Sequence, residues 1–141
     1  MDNKSALMFV AQKALIERDG KVLILKTPDG WLDFPGGKIQ ENEVKDGDPA
    51  SLMNSLKREV LEETGLTIEV MDPFAVWYWE FPKDHPRHGE NTYLVIFKAK
   101  CVGGELKLSD EHGTAHWVTK DDYEEINTGV SHFEIVRKYF E

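Results

Sequence analysis

The 141-residue sequence has a single cysteine, Cys101, so no internal disulfide can form and nothing in its thiol content argues for an oxidising compartment. It has no long hydrophobic run. The most apolar stretch near the N-terminus, Ala6-Leu7-Met8-Phe9-Val10-Ala11, falls far short of the ~20 residues that cross a bilayer. That stretch also lacks the charged-then-apolar layout of a secretory leader, so the expectation is a cytoplasmic protein without a membrane partner. Basic charge is scarce: 17 Lys and Arg stand against 26 Asp and Glu, a formal net charge of −9. Duplex DNA or long RNA needs basic surface to displace counterions, and this balance argues against both. Repeats and low-complexity linkers are absent as well. With 40% hydrophobic residues, the chain reads as one domain over residues 1–141 that can bury a core.

What is present is a run of carboxylates with helical spacing. In Arg58-Glu59-Val60-Leu61-Glu62-Glu63-Thr64-Gly65-Leu66, positions 59, 62 and 63 fall within an arc of roughly 100° on one helix. Like charges so placed repel by a few tenths of a kcal/mol per pair. A hard divalent cation would offset that cost, and carboxylate oxygens are the ligands magnesium accepts from protein. A solvated acidic helix face is the alternative reading of an isolated Glu-x-x-Glu-Glu. An acidic pocket remains open to small nucleotides, because a bound cation reverses the local field.

Local signals place the other elements. Phe9 to Glu17 and Lys21 to Thr27 read as strands joined by an Asp19-Gly20 hairpin turn. Trp31 to Phe34 is a short extended piece leading into Gly36-Gly37. Asp48-Pro49 predicts an N-cap and first helical position for a helix ending at Thr64, with Gly65 as its stop. Leu52, Met53, Leu56 and Val60 form its apolar stripe beside the acidic arc. Thr67 to Phe81 should hold one or two strands and Tyr93 to Cys101 another, broken by Gly103-Gly104. Glu105 to Leu108 is a possible return strand and Ala115 to Val118 a short extended piece. Asp121 to Ile126 reads as a short helix and Phe133 to Phe140 as a terminal one. Strands and helices in this mixed order suggest a sheet covered on both sides.

The acidic run, with Phe34-Pro35-Gly36-Gly37-Lys38 and Glu43 upstream of it, resembles the sequence motif of the Nudix hydrolase family. The resemblance covers most of the chain. It implies an α/β fold, an α/β/α sandwich with a mixed sheet flanked by helices. It also implies hydrolysis of a phosphoanhydride in a nucleoside triphosphate or another nucleoside diphosphate derivative. Mg²⁺ would be the cofactor, with Mn²⁺ as a possible substitute. Trp-x-x-Phe-Pro-Gly-Gly-Lys is more similar to the MutT-like, triphosphate-cleaving members than to those acting on ADP-ribose. The alternative is a Nudix-fold module that binds a nucleotide without cleaving it.

Residue by residue, the resemblance makes Glu59, Glu62 and Glu63 the metal-binding and water-activating carboxylates, with the backbone carbonyl of Gly37 completing the coordination. Arg58 would orient the glutamates, the bland alternative being a surface ion pair. Ser109-Asp110-Glu111-His112 offers a fourth carboxylate: Glu111 as metal ligand or general base, or simply a charged loop residue, with Asp110 the next choice. For the substrate, Trp31 is the first candidate to stack on a base, with Phe34 and Lys38 beside the glycines. Arg87, in the loop from Phe81 to Glu90, either meets a phosphate or faces solvent. Most of the other aromatics, Trp77, Tyr78, Trp79 and Phe81 among them, are expected in the core because alternation along a strand buries every second residue. A monomer or a homodimer fits equally.

One departure stands out. Val44 through Lys57 is about twice the interval the resemblance implies between Glu43 and Arg58. Almost one extra helical turn plus about four loop residues accounts for it. The usual support of the helix by Glu43 depends on that interval and is thereby put in question, and the insert Lys45-Asp46-Gly47-Asp48 becomes a candidate border of the substrate cleft.

Overall fold

Alternation along two adjacent strands sets the architecture. A computed structural model describes residues 3–44, 47–109 and 113–141. Strand β1 (Phe9–Arg18) turns into β2 (Lys21–Lys26) through Asp19 and Gly20, both at positive φ, the geometry that Asp-Gly supplies to a two-residue hairpin. Ala14 and Ile16 of β1, with Leu23 and Leu25 of β2, point to one face. Leu15, Val22 and Ile24 point to the other. Both faces are apolar, so both must be covered.

The remaining strands are β3 (Leu32–Asp33), β4 (Gly36–Lys38), β5 (Leu66–Trp79), β6 (Thr92–Gly104) and β7 (Thr114–Val118). The sheet runs β3-β2-β1-β6-β5, with β4 paired to β1 and β7 to β2. β1 and β6 are parallel and the other pairs antiparallel, giving a mixed sheet. Helix α1 (Pro49–Thr64) lays Leu56 and Val60 on the first face, against Ala14, Ile16, Leu23 and Leu25. Helix α2 (Phe133–Phe140) lays Phe133, Ile135 and Val136 on the second. The expected α/β/α sandwich with a mixed sheet is what forms. Among the described residues, no helix is long and apolar enough to cross a membrane.

Thr67 to Phe81 holds one strand, β5, within the expected one or two, and its register shifts around Pro73 at the sheet edge, where proline is tolerated. Other local expectations need correction. Gly103-Gly104 does not break β6; the two glycines make its last pairs, with Thr67 and Leu66. A Cβ on Gly104 would lie 2.2 Å from the Gly65 carbonyl oxygen, so only glycine permits that approach. Glu105 to Leu108 is not a return strand but lies along the end of α1. There the N–H groups of Lys107 and Ser109 donate to the carbonyls of Thr64 and Glu63, at 2.8 and 2.9 Å, satisfying acceptors a helix C-terminus leaves open. The segment Asp121 to Ile126 contracts to a 3₁₀ turn at Tyr123–Ile126.

Leu56 is fully buried where α1 meets the sheet. Leu56→Ala is expected to lower the unfolding free energy by about 3 kcal/mol in urea titration, as truncation leaves a cavity the strands cannot close.

Candidate functional site

The phase of α1 is set at its ends. Asp48 accepts the Ala50 N–H at 3.0 Å, and Pro49 takes the first helical position. At the other end Gly65, at φ 77°, donates to the Leu61 carbonyl. Between these caps the helix presents Ser55, Arg58, Glu59 and Glu63 toward the turn that precedes it and toward β4.

Glu43 occupies the centre of that contact. Its Oε1 accepts the Gln40 N–H at 2.7 Å, and its Oε2 accepts from Arg58 Nη2 at 2.7 Å and from the Ser55 hydroxyl. The side chain is 8% exposed. Burial pushes its carboxyl upward, and the bonds from Ser55, Gln40 and Arg58 outweigh that, so the group is held below the usual carboxylate range. The question that the insertion raises over Glu43 is therefore answered: it keeps its hold on the helix. The extra residues are absorbed between the 3₁₀ turn at Glu41–Glu43 and the earlier start of α1, and Glu43 still meets the helix at Ser55 and Arg58. Of the insert, Asp48 caps α1 and Gly47 and Asp48 do not border the cavity described below; Lys45 and Asp46 lie outside the described residues.

The glutamates divide into two groups. Glu63 Oε2 accepts the Gly36 N–H at 3.0 Å. Glu59 lies so close to Gly37 that a Cβ there would sit 2.2 Å from Glu59 Oε2. Burial, then the charges of Glu43 and Glu63, raise the Glu59 carboxyl above its ordinary range. Glu62 turns the other way: it is 61% exposed and takes Arg58 Nη1 at 3.0 and 3.1 Å. Arg58 thus bridges the buried Glu43 and the exposed Glu62, which is more than an ordinary surface pair. Glu111 and Asp110 lie outside the described residues.

Among the described residues, no three His, Cys, Asp or Glu side chains converge as a closed metal site does. The donors nonetheless fit a hard cation of the open kind, which takes one or two carboxylates and completes its shell with water and phosphate. Two carboxylates are gathered against a backbone cradle that a Cβ at Gly37 would fill, and one of them is pushed toward its neutral form by burial and then by its anionic neighbours.

Gly37 also lines a cavity of about 630 Å³ on the α2 face, within the size range of small-molecule sites. All four residues expected to contact substrate, Trp31, Phe34, Lys38 and Arg87, border it. Phe34 is mostly buried as wall. Lys38 and Arg87 share one partner: Glu90 stands 3.6 Å from Lys38 Nζ and 2.7 Å from Arg87 Nε. Trp77, Trp79 and Phe81 border the cavity too, rather than lying wholly in the core. The alternate spacing of Trp77 and Trp79 on β5 carries that signal, but not which face is open. Trp79 meets Trp31 edge-on at 5.4 Å, and His132 stacks nearly parallel to Trp31 at 6.0 Å. His132 Nε2–H donates to the Leu32 carbonyl at 2.6 Å across a sequence separation of 100 residues, and no local pattern announces it.

A family model described as NUDIX domain matches residues 9–139. A MutT-like protein of Streptomyces ambofaciens is 28% identical over 112 residues, 79% of this chain and 63% of the relative. The chain therefore spans less than two thirds of that relative's length. A CTP pyrophosphohydrolase of Escherichia coli (strain K12) is 28% identical over 116 residues, covering 77% of this chain and 74% of the relative. Among solved structures, the MutT protein from Methanosarcina mazei Go1 superposes with a TM-score of 0.72 at 26% identity, covering 94% of this chain and 92% of that one.

Because the folded-state pKa of Glu43 is depressed, its stabilisation is complete above the unfolded value and disappears as pH falls through the folded one. Glu43→Gln is expected to cost about 2 kcal/mol at neutral pH, and the difference from wild type should shrink below about pH 4, read by denaturant titration across pH.

Proposed function

The chain belongs to the Nudix family, and from that premise we propose that it hydrolyses a phosphoanhydride bond in a nucleoside triphosphate or another nucleoside diphosphate derivative. Water attacks phosphorus, releasing a nucleoside monophosphate and either pyrophosphate or a phosphorylated group. The observation that carries this reading is the placement of Glu59 and Glu63 against Gly36-Gly37, at the border of an aromatic cavity of nucleotide size. The similarity to the Escherichia coli CTP pyrophosphohydrolase supports the same reaction class.

Mg²⁺, or Mn²⁺ in its place, would be held by Glu59, Glu63 and the Gly37 carbonyl, and would supply charge neutralisation on the phosphate and an acidified water. The chain's own residues do the rest. Glu63 is oriented by the Gly36 N–H, and Glu59 by its confinement beside Gly37. Glu62 completes the acidic set by leaving Arg58, an exposed pair that solvent screens and that holds only weakly. Trp31 and Trp79 offer aromatic surface for a base. The proton of the attacking water goes to a carboxylate, Glu111 or one of the helix glutamates, and single substitutions distinguish them.

The test is phosphate and pyrophosphate release with Mg²⁺ across nucleoside triphosphates, CTP first, and nucleoside diphosphate conjugates. Turnover is expected, reduced by at least ~10²-fold in Glu59→Gln, Glu62→Gln and Glu63→Gln. Tight binding without turnover of any compound would instead assign a sensor.

A second outcome concerns the metal. The raised carboxyl of Glu59 weakens the folded state above that pKa, because the ionised form is disfavoured there. In chelator, Glu59→Gln should melt a few degrees above wild type. Saturating Mg²⁺ should reverse the order, since a cation at ~100 times its dissociation constant adds about 2.7 kcal/mol to the protein that binds it. Unchanged melting with Mg²⁺ in both proteins would remove these residues from the metal site.

A further inference from the structure

The cavity holds a cation that the scheme above leaves unused. Lys13 follows Gln12 on β1 and shares the α2 face with Ala11 and Leu15, so its side chain enters the cavity from the sheet. The side chain is 12% exposed. Its Nζ stands 3.2 Å from Asp33 Oδ1 and 3.4 Å from the Gly36 carbonyl oxygen. Enclosing a long, strongly hydrated ammonium costs desolvation and rotamer freedom, and these two contacts lie at the loose end of hydrogen-bonding distance. The other two cations bordering the cavity, Lys38 and Arg87, are drawn together on Glu90.

Position says what the ammonium is for. Gly36 donates its N–H to Glu63 and accepts Lys13 at its carbonyl, so Lys13 and Glu63 stand on two sides of one residue. Gly37, next along β4, touches both the cavity and Glu59. A nucleotide with its base against the Trp31–Trp79 pair and its phosphates at the glutamates must cross this seam. We infer that Lys13 binds a phosphate group of the nucleotide at the seam, and that Asp33 is the counter-ion it exchanges for that phosphate. An ammonium is a point charge with three rotatable donors, suited to phosphate oxygens rather than to the planar edge of a base. In the free chain the Asp33 carboxylate covers the charge, and the incoming phosphate replaces one anion by another. This inference rests on the reading that the cavity takes a nucleotide.

The test separates phosphate recognition from base recognition. Cavity tryptophan fluorescence is titrated, at millimolar Mg²⁺, with adenosine, guanosine, cytidine and uridine and with their 5′-monophosphates, which have no anhydride to cleave. For the wild type, the monophosphate should bind more tightly than its nucleoside. Lys13→Met should cut that advantage ~10-fold, the size of one charge-assisted contact, while nucleoside affinity stays unchanged and Lys13→Arg retains the advantage. Asp33→Asn, which leaves Lys13 in place, should widen it by removing the competing carboxylate. This second variant tests the inference even where Lys13→Met melts too low to assay. An advantage that persists in folded Lys13→Met, or fails to grow in Asp33→Asn, overturns the role of Lys13 and leaves the hydrolase reading standing. Failure of the wild type to bind any of the eight compounds overturns both.

Discussion

A carboxylate taken out of water needs donors at every oxygen, and Glu43 finds them on two separate elements: the Gln40 N–H in its own 3₁₀ turn, and Ser55 and Arg58 on α1. Because two of those donors lie three residues apart on one helix, satisfying Glu43 fixes both the distance of α1 from the turn and its rotation about its axis. The same rotation puts Leu56 and Val60 on the sheet and carries Glu59 and Glu63 to β4. Removing Arg58 would leave a buried charge short of a donor and free Glu62 at the same time, which couples helix placement to the charge balance of the site.

The sheet then divides two environments. On the α1 face, small and aliphatic residues such as Ala14, Ile16 and Leu25 give a closed core. On the α2 face stand Lys13, one step out of phase on β1, and Trp77 and Trp79 of β5, and α2 does not cover them. The cavity is the uncovered part of that face. Strand β4 brings the two sides together: its glycines let the glutamates of α1 approach the backbone from one direction while Gly37 borders the cavity from the other. Acid groups from one layer and aromatic groups from the other thus meet at one short strand.

Much of this was legible before any coordinates. The α1 boundaries follow from Asp48-Pro49 and Gly65, the β1–β2 turn from Asp19-Gly20, and the cavity-bordering Trp31, Phe34 and Lys38 from the surroundings of the two glycines; for Arg87 the Phe81–Glu90 loop left phosphate and solvent both open. The misreadings share a cause. Spacing along the chain put the contact of Glu43 with the helix in question, yet a loop can absorb extra residues while its ends keep their positions. Gly103-Gly104 resembled a strand stop, but whether glycine ends a strand depends on what lies opposite, here Leu66 and Thr67. Trp77 and Trp79 were assigned mainly to the core because alternation tells which residues share a face and says nothing about whether that face is covered.

Determined by the sequence alone were the features whose physics is local: caps, turn conformers, the helical arc of the glutamates and the two-residue period of the strands. Each depends on interactions within a few residues, so its signal is contiguous in the chain. Left to the tertiary structure were the pairings across long separations. Lys13 with Asp33, Glu63 with Gly36, Arg58 with Glu43 and His132 with Leu32 join segments from 15 to 100 residues apart. Such contacts form only once the buried sheet has set the distance between elements, because burial, not local preference, decides which polar groups must find one another.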